Sequence, residues 1–128
     1  MTPFLGPDWF ARLEAASRQL PEEPGASAEL TATVTRRGGD DVRVRLRVEN
    51  ARIVELDPTG DATAPLELAC PEAVAAAIVQ GTTSVAVAFM RGELKVNGDM
   101  GAMHRLLPLT GEPGFVAMLA ELAAETDF

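Results

Sequence analysis

The chain has few of the side chains that catalysis, metal binding and disulfide bonding require. Its 128 residues include one cysteine, Cys70, one histidine, His104, and no tyrosine. One cysteine cannot form an internal disulfide, and one cysteine with one histidine cannot supply a Cys/His zinc cage. The sequence also lacks a Ser/His/Asp set, a phosphate-binding glycine loop and a metal-spaced carboxylate cluster. We therefore predict no metal, no cofactor and no enzymatic activity.

The chain also lacks a net positive charge, a signal peptide and a long apolar segment. Its formal net charge is −8, whereas nucleic-acid-binding proteins present basic patches. The N-terminus has no basic region followed by an apolar run, and no stretch approaches the roughly 18 to 20 apolar residues that a membrane span needs. We expect a cytoplasmic protein that does not bind nucleic acid and contacts membranes at most transiently.

What remains is the composition of one globular domain. The chain is 47% hydrophobic and 23% charged, which is ordinary for a folded protein. A domain of this length buries roughly two thirds of its unfolded surface. We predict a single domain over residues 1–128.

Alternation of apolar and polar residues predicts the strands. It is clearest in residues 42–49, and it also marks residues 30–35, 52–56 and 65–70. A fifth strand, GELKV, covers residues 92–96. Short turns join the first four strands, and DPTGD (57–61) ends the third of them, which predicts an antiparallel meander with one buried face.

The alternation also places three arginines, Arg43, Arg45 and Arg47, on one face of their strand. We expect that face to be solvated, with cross-strand pairs to acids such as Glu55 or Glu67.

Capping residues predict where the helices begin and end. Asp8 is a good N-cap for the first helix, and Pro71 suits the first position of a helix that ends at Gly81. Asp99 caps a third helix, which Pro108 ends, and a final apolar helix follows. The predicted fold is α+β: a five-stranded, mostly antiparallel sheet with helices packed on one face.

Methionines concentrate in the last 40 residues, where Met90, Met100, Met103 and Met118 lie on or beside predicted helices. Methionine is flexible and polarizable, so it adapts to ligands of different shapes. It also fills gaps in ordinary cores, and the composition leaves both interpretations open.

Two side chains raise an enzymatic alternative. His104 could act as a general base only with an orienting partner, and no acid lies at a spacing that defines one. Cys70 precedes a predicted helix, whose N-terminus could lower its pKa. An exposed or half-buried helix histidine and a buried, small apolar cysteine are the simpler interpretations.

One segment carries a family resemblance. FMRGELKVNGDMGAM, residues 89–103, resembles the signature of the sterol carrier protein (non-specific lipid transfer) family. The matching positions are Phe89, Gly92, Leu94, Val96, Gly98, Asp99 and Met100. The upstream CPEAVAAAIVQG is similar to the helix before that signature, and FLGPDWFARLEAA resembles the start of small, free-standing actinobacterial-type members. The chain departs from the family in having Pro108 where a longer helix often continues, and it ends without a peroxisomal tripeptide.

The resemblance implies a fold in which the sheet and helices enclose an apolar tunnel for sterols, fatty acids or fatty acyl-CoA. The residues that we predict to line this tunnel are Val44, Leu46, Ile78, Phe89, Met90, Leu94, Val96, Met100, Met103, Leu106, Leu107, Phe115, Met118, Leu119 and Leu122.

The predicted function is therefore that of a non-specific lipid carrier or presentation module, monomeric or weakly dimeric. We expect transfer to involve lifting of the final helix, because few polar ties are visible on it. Two alternatives remain: a solid-packed interaction scaffold, and an accessory domain of a thiol-dependent isomerase or acetyltransferase-type enzyme.

Overall fold

The computed structural model of the protein describes residues 1–59 and 63–128. The predicted turn at residues 57–61 therefore lies partly outside the described residues. The strands are β1 (Thr2–Pro3), β2 (Ala28–Thr35), β3 (Val42–Glu49), β4 (Arg52–Asp57), β5 (Leu66–Pro71), β6 (Lys95–Gly98) and β7 (Thr126–Asp127). The helices are α1 (Pro7–Ser17), α2 (Glu72–Gln80), α3 (Val85–Met90), α4 (Met100–Leu106), a 3-10 helix (Leu107–Gly111) and α5 (Pro113–Ala124).

The main sheet of the described residues has five strands in the order β4-β3-β2-β5-β6. All neighbouring strands are antiparallel except β2 and β5, which are parallel, with Leu30 opposite Leu66. The α+β class with a mostly antiparallel sheet is thus confirmed. The predicted four-strand meander is wrong at its last step, because β5 pairs with β2 and not with β4. Alternation determines the two faces of a strand but not its neighbour.

The hairpin between β3 and β4 has a two-residue turn at Asn50 and Ala51, with φ angles of 51° and 73°. Two successive positive φ angles are typical of the type I′ turn that suits a twisted hairpin. The turn also holds the segment after α1, because the Glu23 N–H donates to the Asn50 carbonyl at 3.0 Å. The residues around Glu23 are therefore attached to the end of the sheet.

The outer face of the sheet is polar, as predicted. Arg47 Nε lies 3.3 Å from a carboxylate oxygen of Glu55, and Arg45 Nη2 lies 3.0 Å from one of Glu29. The pairing of this arginine face with Glu55 is confirmed. Glu67 lies opposite Thr31 in β2 and not opposite one of the three arginines. The neighbouring longer side chains cover Thr31, which is only 2% exposed. Exposed ion pairs of this kind contribute about 0–1 kcal/mol each, so this face is chiefly a solvated surface.

Two helix starts differ from the prediction by a residue or two. The first helix begins at Pro7 with Gly6 as its N-cap, so Asp8 lies inside the first turn and does not cap it. A carboxylate in that turn is still favourable because it faces the positive end of the helix dipole. The second helix begins at Glu72, since Pro71 has the extended ψ of 154° that belongs to β5.

The other predicted helix boundaries agree with the structure. Gly81 ends α2 in the left-handed conformation, with φ 80°, and Asp99 Oδ1 accepts the Ala102 N–H at 3.1 Å as the N-cap of α4. Pro108 lies in the 3-10 helix that follows α4. Residues 84–90, for which the sequence predicts no element, contain α3.

The predicted strand over residues 92–96 is shifted. Gly92 and Leu94 form the turn after α3, with their N–H groups donating to the Phe89 and Ala88 carbonyls. The strand β6 therefore begins only at Lys95.

The two ends of the chain hold each other. Thr2 in β1 pairs with Thr126 in β7, Trp9 Nε1 donates to Thr126 Oγ1 at 3.1 Å, and Arg12 forms an ion pair with Glu125. The expectation that few polar ties hold the final helix is therefore wrong for the C-terminal end of α5. Contacts between residues more than a hundred positions apart leave no local pattern in the sequence.

Between residues 100 and 124 the chain is apolar but bent. No single helix within the described ranges is long and apolar enough to span a membrane; Met100–Gly111 and Pro113–Ala124 would reach that length and composition together, but they meet at 73°. Beyond the bend, α5 packs against α1 and α2.

Candidate functional site

An apolar cavity of about 550 Å³ lies between the inner face of the main sheet and the helices. Ligand cavities in proteins usually measure roughly 300–1,000 Å³. Every layer of the fold contributes to its wall, from α1 at one end of the chain to α5 at the other. The molecule therefore encloses a space of the size that a small hydrophobic molecule needs.

The sheet side of the cavity follows from the alternation of its strands. Ala32 lies at the middle of the inner face, opposite Val44 in β3 and Leu68 in β5. Ala32, Leu46 and Leu68 remain only half-buried although helices cover this face. A side chain that keeps accessible surface beneath a layer of helices borders empty space. The single methyl group of Ala32 leaves that space at the centre of the sheet.

Nine of the fifteen residues predicted to line a tunnel border this cavity. They are Leu46, Ile78, Leu94, Met103, Leu106, Leu107, Phe115, Met118 and Leu119. They come from β3, α2, the segment before β6, α4, the 3-10 helix and α5, so the tertiary fold gathers them from much of the chain.

The structure places the other six predicted lining residues elsewhere. Met90 is 81% exposed at the end of α3, and Met100 is 38% exposed at the first position of α4. Val44 and Leu122 are buried outside the cavity wall, and Phe89 and Val96 are half-buried against the core. These six residues do not border the cavity; Met90 lies outside it because the short helix α3 turns it to solvent.

The sequence analysis also missed the N-terminal part of the wall. Trp9, Leu13 and Leu20 line the cavity, as do Leu30 and Leu66 on the sheet. Their spacing carried a usable signal: the first three lie on the apolar stripe of the predicted first helix, and the strand residues occupy the buried phase of the alternation.

The exposed residues of the cavity wall gather at one place, which we call the mouth: residues 20–23 on one side and 112–114 on the other. Pro21, Glu23, Glu112 and Gly114 are all exposed wall residues. The two sides are close, because a methyl group placed on Gly114 would lie 3.8 Å from Leu20 Cδ2. The cavity reaches the surface between these two segments.

Two hydroxyl groups in the wall, those of Ser17 and Thr110, form hydrogen bonds with the backbone. The Ser17 hydroxyl donates to the Glu14 carbonyl at 2.8 Å and accepts the Ile53 N–H at 3.2 Å. The Thr110 hydroxyl donates to the Leu107 carbonyl at 2.6 Å. The interior of the cavity thus presents mainly hydrocarbon, and its charged groups lie at the mouth.

The two side chains considered for catalysis lie in different surroundings. Cys70 borders the cavity and is buried; burial raises the pKa of its thiol, and a hydrogen bond with the Ala75 backbone lowers it only in part. His104 is exposed on α4 and does not border the cavity. A protonated thiol is a poor nucleophile.

We expect Cys70 to react slowly with thiol reagents in the folded protein. The thiolate is the reactive form, so a raised pKa and burial both lower the rate. At pH 8 an aromatic disulfide should react with Cys70 about 100-fold more slowly in the folded protein than in the urea-unfolded protein. In the folded protein the rate should continue to increase with pH above the ordinary thiol pKa of about 8.5. Absorbance of the released thiolate measures both rates. Equal rates in folded and unfolded protein would contradict a buried thiol.

Comparison with known proteins places these observations in context. The model of the SCP-2 sterol transfer family matches residues 13–110. A search of curated protein sequences finds no match.

Solved structures share the fold. A crystal structure of sterol carrier protein 2 superposes with a TM-score of 0.71 at 16% identity, covering 97% of this chain and 99% of that one. A conserved hypothetical protein of Thermus thermophilus, described as a possible sterol carrier protein, gives 0.65 at 20% identity, covering 94% and 90%. The palmitated sterol carrier protein 2-like 2 of Aedes aegypti gives 0.64 at 14% identity, covering 81% and 92%.

Proposed function

Because the chain belongs to the SCP-2 sterol transfer family, we propose that it binds a hydrophobic ligand in the cavity between its sheet and its helices. Membership of this family supports a general role in lipid binding and transfer. The ligand is a sterol, a fatty acid or a fatty acyl-CoA, and the protein acts as a non-specific lipid carrier or presentation module. The observation that carries this proposal is the apolar cavity of about 550 Å³ with a mouth at the surface.

The driving force is the removal of apolar ligand surface from water. Each buried methylene contributes about 0.8 kcal/mol, so a sixteen-carbon chain contributes roughly 13 kcal/mol before the costs of association. Those costs are at least about 4 kcal/mol, and micromolar binding needs about 8 kcal/mol. Burial of most of one acyl chain is thus sufficient for micromolar affinity.

Several observations favour this function over the two alternatives. A cavity well above the roughly 300 Å³ lower limit for ligand pockets opposes a solid-packed scaffold. The buried Cys70 thiol, with its raised pKa, opposes a thiol-dependent enzyme. The palmitated Aedes aegypti protein, which shares the fold, supports an acyl chain as one candidate ligand. A cytoplasmic, monomeric or weakly dimeric carrier with transient membrane contact is part of the same proposal.

Trp9 makes the proposal testable without labelling. It is the only tryptophan in the chain and borders the cavity, so a fluorescent sterol or polyene fatty acid bound there should accept its excitation energy. We expect a Kd of about 1 μM, with one ligand per chain in native mass spectrometry. Displacement by an unlabelled lipid should restore the Trp9 emission. If no sterol or acyl chain binds more tightly than about 100 μM in either measurement, the proposed function is wrong.

A further inference from the structure

The charges at the mouth indicate which lipids the cavity accepts. Within residues 1–59 and 63–128, the charged side chains that border the cavity are both carboxylates, those of Glu23 and Glu112. An anionic head group held at the mouth would therefore meet negative charge, in a protein whose formal net charge is −8. This observation concerns the ligand's head and is independent of the apolar interior that holds its chain.

These two carboxylates are not engaged elsewhere. Across the part of the chain that the structure describes, neither forms an ion pair. Glu112 occupies the N-cap position of α5, yet its side chain makes no capping hydrogen bond. Glu23 is anchored through its backbone N–H to Asn50, which leaves its carboxylate exposed. Both carboxylates can accept hydrogen bonds from a ligand.

Arg52, a cation beside the mouth, already has partners. Arg52 Nε donates to the Leu20 carbonyl at 2.7 Å, and its Nη1 donates to Glu22 at 3.3 Å. Its guanidinium therefore stabilises the wall of the mouth. A ligand carboxylate or phosphate would have to compete with Glu22 for it.

The N-terminus of α5 provides donors but little net positive charge. A helix N-terminus carries about half a unit of positive charge, which the full negative charge of Glu112 exceeds. Pro113 has no N–H, whereas the N–H groups of Gly114 and Phe115 have no partner within the helix by its geometry. The hydroxyl group of a ligand can accept a hydrogen bond from one of these N–H groups and donate one to a carboxylate at the same time.

From this arrangement we propose that the preferred ligand has a hydroxyl head without negative charge, as in a long-chain alcohol or a sterol, and that fatty acid anions and acyl-CoA bind more weakly. This inference rests on the proposed function and narrows its ligand class. Its physical basis is repulsion between like charges at the mouth, which ionic strength screens.

A set of ligands with the same sixteen-carbon chain tests the proposal. Hexadecanol, palmitate and palmitoyl-CoA are compared by displacement of the fluorescent sterol at pH 7.5 and low salt. We expect hexadecanol to bind about 10-fold more tightly than palmitate or palmitoyl-CoA, and the difference to shrink in about 0.5 M salt. Equal or tighter binding of palmitate by the unmodified protein would overturn the proposal. Binding of neither the fluorescent sterol nor any of the three would instead overturn the proposed function.

A charge reversal provides the second arm. Glu112→Lys should raise the affinity for palmitate about 10-fold and should not raise that for hexadecanol, whose hydroxyl loses a carboxylate acceptor. Glu121→Lys is the matched control, because Glu121 is exposed on the same helix and does not border the cavity. It makes the same change in net charge. If the two variants bind palmitate equally, the effect is one of net charge alone and the assignment to the mouth is wrong.

Discussion

Replacing Ala32 with phenylalanine is expected to lower the affinity for a lipid roughly 10- to 100-fold while the protein remains folded. Ala32 lies at the centre of the inner sheet face, and its methyl group borders the cavity. A ring at this position occupies the space that the ligand needs. Overfilling a well-packed space typically costs about 1–3 kcal/mol. When this cost falls on the bound ligand, it corresponds to the expected loss of affinity.

The same substitution should not unfold the protein. Phenylalanine is favourable in strands, and cavity-filling substitutions commonly add about 0.5–2 kcal/mol of stability. Ala117→Phe is the matched control, since it makes the same change at an exposed position of α5. Titration with the fluorescent sterol and thermal unfolding followed by circular dichroism measure the two effects. Unchanged binding by Ala32→Phe would show that the ligand site lies elsewhere.

Replacing Gly98 with alanine is expected to destabilise the fold by about 4 kcal/mol or more. Gly98 ends β6 opposite Leu66, with φ 93°. A Cβ atom there would lie 2.0 Å from the backbone carbonyl oxygen of Pro65. That same oxygen accepts the Asp99 N–H at 2.8 Å, so moving it weakens the start of α4. The effect would then reach the part of the cavity wall that α4 provides.

Gly92 provides the comparison, because it is the other glycine of the family signature and also has a positive φ, 72°. A Cβ atom at Gly92 would meet only the end of the Lys95 side chain, at 3.8 Å. Gly92→Ala should therefore cost only the strain of the left-handed conformation, about 1–2 kcal/mol. Urea unfolding of the two variants measures the difference. Equal losses of stability would mean that the sheet moves to accommodate the Gly98 side chain.

Much of the fold was predictable because its signals are local. Alternation over 42–49 placed Val44 and Leu46 on one face and the arginines on the other, and this needed no knowledge of the rest of the chain. The caps at Asp99 and Gly81 were also predictable, since each depends on a few neighbouring residues. The family signature extended these predictions to the whole architecture.

The cavity wall was predictable only in part. Met103 and Phe115 were placed in it correctly by their position on apolar helices, whereas Met90 was not, because a short helix turns it outward. Trp9 lies on the apolar stripe of the predicted first helix, which indicates burial, but no local pattern predicts its hydrogen bond to Thr126 at the other end of the chain. Hydrophobicity predicts that a side chain avoids water, but not which other side chains it meets.

The amino-acid sequence by itself determined most of the strands and helices, the apolar face of the strands, and the family to which the pattern belongs. The tertiary structure decided that β5 lies beside β2 and that a Cβ atom would meet a backbone carbonyl at Gly98 but only the end of a flexible side chain at Gly92. It also decided that the apolar faces leave a cavity with two carboxylates at its mouth. The reason is that periodicity is set by residues close together in the chain. The space between packed elements depends on side-chain volumes contributed from all along it.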